Sequence, residues 1–244
     1  MAMNDAEIAK LLDHTAAVAD PILDILTRSD PFDLKPRTFG RRWWDAIPTS
    51  TADLAATALN VADWPGTAGW EKLTLQERAE WWVKRVGSLN TVAVAFPGMF
   101  GAWTKKLPVG TLLGAASQAL MVLAVGRVYG VLSRSDQIAM LGAVLFGRDV
   151  DGTDLEHDAP REFPESGAGL LKAVVKGLWD MAMWLRKLEA SLSARPQAPA
   201  IFRHLGWIPL LGAPATYVGE RIALHRAVTA SQEWIAENPA AVDD

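Results

Sequence analysis

From Leu107 to Gly126 the chain runs for 20 residues without a charge, and glycines stand at positions 110, 114 and 126. That length could span a bilayer as a helix, which takes about 20 apolar residues. Its content pulls the other way: Gly110, Gly114, Ser117 and Gln118 dilute the apolar side chains, and Arg127 follows at once. Gly110, Gly114 and Gln118 fall four apart on one helix face. The first two make a Gly-x-x-x-Gly step that lets two helix backbones approach closely. Two environments stay open for this helix: burial on all sides within a soluble bundle, or insertion in a membrane. Pro108 and the Tyr129-Gly130 pair supply its ends.

The flanking sequence predicts an all-α fold. Ile8, Leu11, Leu12, Val18, Ile22 and Ile25 recur at three- and four-residue steps, predicting a helix from about Asn4 to Thr27. Asn4 or Asp5 is its cap, and Pro21 is expected to kink or divide it. A short helix is expected over Ser50 to Ala62, ended by Trp64-Pro65-Gly66. Thr74 followed by Glu77 is a capping box and opens the next helix. A further helix is expected from Ser135-Asp136-Gln137 to Phe146, stopped by Gly147. Another runs from Gly167 to about Ala194, and a last one through Trp234 stops at Asn238-Pro239. Thr91 to Phe96 alternates weakly, inside a stretch that otherwise reads as helix. The expected architecture is a single multi-helix bundle over residues 1–244 around a central glycine-rich helix, buried or membrane-inserted. Residues 1–66 form a candidate N-terminal subdomain, and an acidic loop occupies 149–166.

Composition removes several functions. A net charge of −4 argues against nucleic acid as the main partner. The chain has no cysteine, so disulfides, thiolate metal sites and cysteine nucleophiles are excluded. The acidic start lacks the basic and apolar regions of a signal peptide, so a cytoplasmic location is expected. The 11 tryptophans are read mainly as packing residues.

No catalytic residue and no cofactor is assigned. There is no Gly-x-Ser-x-Gly elbow, no P-loop and no His-Glu-x-x-His. His14, His157, His204 and His225 have no helical partner at metal spacing, and residues 151–158 lack the calcium-loop pattern. No metal is therefore expected, and the loop reads as solvated. Gln118, Arg127 and Tyr129 are the candidate buried polar or ligand-contact residues, because a polar group embedded in apolar sequence needs a partner. Trp103, Lys105 and Lys106 are candidate membrane-surface residues. Lys105, Lys106, Arg127 and Arg134 make both ends of the uncharged run basic, a pattern that suits anionic headgroups.

Two stretches together resemble the EcsC-like family of bacterial helical proteins. The first is Leu107-Pro108, Gln118 and Val125-Gly126-Arg127-Val128-Tyr129-Gly130, followed by a helix ending Leu145-Phe146-Gly147. The second is Trp207-Ile208-Pro209-Leu210-Leu211-Gly212 with Thr216 and Gly219. Pro214 departs from the pattern and sets a continuous helix from Gly212 in question. The resemblance implies a cytoplasmic, often membrane-associated protein near transport machinery, and carries over no catalytic residue. The expected function is non-enzymatic contact with lipid or a protein partner. The alternative is a soluble carrier holding an apolar ligand inside the bundle.

Overall fold

The computed structural model describes residues 3–28, 63–86, 109–164, 167–189 and 212–243. Every regular element among them is helical, and the helices pack against one another as a bundle. Helix α1 spans Asp5–Arg28. Asn4 caps it, its Oδ1 accepting from Glu7 N at 2.8 Å while Glu7 Oε2 accepts from Asn4 N at 3.0 Å. The helix runs through Pro21 without dividing.

Short helix α2 (Ala68–Glu71) precedes α3 (Leu75–Trp81), which runs on into a π-helical turn over Trp82–Val86. The Thr74–Glu77 capping box is present in full. Trp64, Trp70, Trp81 and Trp82 form an edge-to-face cluster around Trp81, with ring centroids 5.2 to 5.4 Å apart. That geometry suits aromatic quadrupoles. These four tryptophans are packing residues, and Trp64 also donates to Leu26 O at 3.3 Å, tying this unit to the end of α1.

Helix α4 (Val109–Tyr129) is the centre of the bundle. It touches α1, α3, α5 (Arg134–Phe146), α6 (Gly167–Glu189) and α7 (Gly212–Glu237). Every residue from 115 to 126 is buried. Over residues 115–126 this helix is enclosed by its neighbours. Among the described residues no helix is long and apolar enough to cross a membrane. Side chains such as Leu120, Met121 and Leu123 are almost wholly enclosed, and burying each contributes about 1.5–3 kcal/mol.

Gly130, at φ +92°, ends α4 in the left-handed region, and Val131 N reaches back to Gly126 O at 2.8 Å. Ser133, two residues before the expected start, caps α5: its hydroxyl accepts from Asp136 N at 3.2 Å. Gly147 closes that helix at φ +62°. The described glycines with least room for a methyl group are Gly126 against Met140, Gly142 against Val150 and Gly177 against Val18. Helix α7 is continuous from Gly212. Pro214 lies in its first turn, where its missing N–H has no intrahelical partner to lose. The expected helix over Ser50 to Ala62, the Thr91–Phe96 stretch and the end of α6 near Ala194 lie outside the described residues.

Candidate functional site

Asp13, Asp20 and Asp24 lie seven and four residues apart on α1, so they share one face. That face meets the basic ends of α4 and α5. Arg127 Nη1 donates to Asp24 Oδ1 at 2.7 Å, Nε to Asp20 Oδ1 at 3.2 Å, and Nη2 to the Asp20 backbone carbonyl at 3.0 Å. Arg134 Nη2 lies 3.3 Å from Asp20 Oδ2, and its Nε lies 3.9 Å from Asp13 Oδ1. Gln137 Nε2 adds a contact to Asp20 at 3.4 Å. Helix α1 is thus held to α4 and α5 by a buried-to-half-buried charge belt.

The acidic loop completes the belt, and Pro21 explains where it docks. Proline has no N–H, so the carbonyl of Ala17 four residues earlier loses its helical partner. Arg161 N, from the loop, donates to Ala17 O at 2.9 Å. Farther along α1, Asp158 N donates to Asp13 Oδ2 at 2.7 Å and His157 Nδ1 sits 3.1 Å from Asp13 Oδ1. His14 Nδ1 pairs with the Asp158 carboxylate. Arg161 Nη2 reaches Asp180 on α6 at 2.8 Å. The stretch from His157 to Arg161 is therefore anchored along α1, while most of the loop, including residues 151, 153, 154, 156, 157, 159 and 160, is exposed, in line with the expected solvated loop. Asp151, near its start, does behave as a solvated turn residue: the backbone N–H and hydroxyl of Thr153 hold its carboxyl below the usual range.

The expected site residues do not converge. Arg127 faces α1. Tyr129 faces α7, its hydroxyl accepting from Gln232 Nε2 at 3.0 Å. Gln118 is buried among apolar side chains with no hydrogen-bond partner for Oε1. It lies nine residues before Arg127, about 13.5 Å along the helix axis. Arg127 and Tyr129 thus make separate contacts to α1 and α7, and Gln118 lies apart from both. Trp103, Lys105 and Lys106 lie outside the described residues.

One expectation about charge is overturned. Arg127 and Arg134 are committed to α1 carboxylates and do not present a basic rim. Sequence reasoning missed Asp13, Asp20 and Asp24 because it compared Arg127 and Arg134 only with acids nearby in sequence. The signal was the shared helical face of those three acids. Elsewhere, an open groove of about 430 Å³ runs along α7, lined by Ile222, His225, Arg226, Thr229, Ala230 and Glu233. No family model, curated protein or solved structure matches this chain.

Proposed function

We propose that this chain is a non-enzymatic helical protein that works by contact at the cytoplasmic face of the cell membrane. It docks peripherally through Trp103, Lys105 and Lys106, and its apolar helix stays inside the bundle. The observation that carries this reading is the enclosure of residues 115–126 of α4 by other helices. With that segment spoken for, membrane contact falls to the chain that leads into α4. The ion pairs of Arg127 and Arg134 support the same choice, because they take those two arginines out of a basic rim and leave the reading to rest on the Lys105-Lys106 pair of the sequence. The EcsC-like motifs add a membrane-facing role near transport machinery, with lipid or protein as partner.

Each lysine near an anionic surface contributes about 1 kcal/mol. Reversing both in a Lys105→Glu, Lys106→Glu double variant should weaken binding by roughly thirtyfold or more, from about 2 kcal/mol or more lost. Vesicle flotation of the full chain measures this. Binding to vesicles rich in phosphatidylglycerol, absent on phosphatidylcholine and lost in the double variant, is the expected result. Equal flotation of variant and unmodified chain, or none on anionic vesicles, defeats the proposal.

The α7 groove favours a second reading, a carrier of an apolar ligand on that face. Mass spectrometry of organic extracts of the purified chain tests it. An extract with no copurifying apolar molecule removes it.

A further inference from the structure

Adjacent residues on a helix project about 100° apart, so Asp13 and His14 can meet only at something lying across both. Asp158 lies there: its backbone N–H holds the Asp13 carboxylate, and its own carboxylate meets His14 Nδ1. One ligand atom from each of Asp13, His14 and Asp158 falls within 4.8 Å of the other two. Ligands placed about 2.0–2.2 Å from a tetrahedral zinc ion stand roughly 3.4 Å apart, so small side-chain rotations close this set around an ion.

We propose that Asp13, His14 and Asp158 form a binding site for a divalent first-row transition metal of the zinc or manganese type. One imidazole nitrogen and two carboxylate oxygens suit such ions better than the all-oxygen sets of magnesium or calcium, and the absence of thiolate disfavours softer ones. The surroundings fit a metal centre. His157 Nδ1, 3.1 Å from Asp13 Oδ1, orients that carboxylate, as outer partners of metal ligands do. The His14 ring rests on Trp184, with centroids 5.5 Å apart, which fixes its plane.

Charge points the same way. The belt sets Asp13, Asp20, Asp24 and Asp158 against the guanidiniums of Arg127 and Arg134. Asp13 is 2% exposed, so it is the carboxylate that gains most from a cation in contact. Arg134 opposes an ion here, but its nearer partner is Asp20 at 3.3 Å and its distance to Asp13 Oδ1 is 3.9 Å. The ion would join α1 to the loop and strengthen the anchorage that Pro21 begins. The site reaches beyond the membrane-contact reading and does not depend on it.

The test is isothermal titration of the EDTA-treated full chain with zinc chloride at near-neutral pH, with magnesium chloride as comparison. A single equivalent of zinc should bind, with no comparable heat from magnesium. His14→Ala and Asp158→Asn should each weaken zinc binding by about tenfold or more. Both positions are partly exposed, and Asp158→Asn keeps the backbone donation to Asp13, so neither removes the fold. Far-UV circular dichroism of each variant checks that. Asp13 is left unchanged because it carries the loop's hydrogen bonds. Zinc should also slow amide exchange over residues 156–163. No zinc binding, or binding undiminished in both variants, overturns the proposal.

Discussion

Replacing Arg127 with methionine keeps the aliphatic stem and removes the guanidinium that fastens α1 to the end of α4. Three contacts go: Asp24 at 2.7 Å, the Asp20 carboxylate at 3.2 Å and the Asp20 carbonyl at 3.0 Å. The gross attraction of one such pair at about 3 Å is roughly 5 kcal/mol with an effective dielectric near 20. Desolvation cancels much of that, so the net loss comes mainly from stranding a carboxylate. Breaking a fully buried pair costs about 3–5 kcal/mol. Arg127 is 24% exposed, and Asp20 retains Arg134 and Gln137, so water and the remaining partners soften the loss. The expected cost is about 2 kcal/mol.

Urea unfolding followed by tryptophan fluorescence measures it. The mechanism makes a second demand: Asp20→Asn should make the Arg127→Met change cheaper, because the carboxylate charge that Arg127 helps to neutralise is gone. The double variant should fall short of the summed single costs by about 1 kcal/mol. A single-variant cost below about 0.5 kcal/mol, typical of an uninvolved surface site, would refute the reasoning. So would strict additivity. Vesicle binding should be unchanged in Arg127→Met, since this arginine is committed to α1.

Two further outcomes follow from local geometry. A methyl group on Gly142 would stand 2.7 Å from Val150 Cγ2 and 3.1 Å from Arg148 O, neither of which yields easily. Gly142→Ala should therefore cost about 1–3 kcal/mol in thermal unfolding. Gly126→Ala should cost less, because it meets the flexible end of Met140; the reverse order contradicts this account. In the capping box, the backbone N–H of Thr74, then its hydroxyl, hold the Glu77 carboxyl below its ordinary value. A lowered folded-state value stabilises the protein above the unfolded carboxylate range, and that contribution is lost as pH falls through the folded value. The penalty of Glu77→Gln should be present near neutral pH and shrink as pH falls through the lowered carboxyl range, and a penalty that does not change with acidification is evidence against the box.

Local signals were legible where a few neighbouring residues decide the outcome. Asn4, Thr74, Gly130 and Gly147 act on backbone groups within one turn, and each sits at a helix end as its chemistry requires. The all-α fold followed from apolar spacing on α1 and α6 for the same reason. The central helix resisted such reading because a segment apolar on every face suits lipid and protein interior alike. Its neighbours decide that question, and they come from the whole length of the chain. The belt was harder still. Asp20 and Arg127 are 107 positions apart, so no local pattern pairs them. The docking of this exposed loop on α1 was hidden because nothing nearby in sequence shows that Pro21 frees a carbonyl for Arg161 to take.

Amide hydrogen exchange across α4, with and without anionic vesicles, bears most directly on the claim that this helix is enclosed by protein while the chain docks at the membrane surface. Residues 115–126 should exchange only through global unfolding in vesicle-free buffer, and vesicles should leave their rates unchanged. Rapid exchange in buffer, with protection appearing only when vesicles are added, would show that lipid and not the bundle covers this helix, and the account would fail.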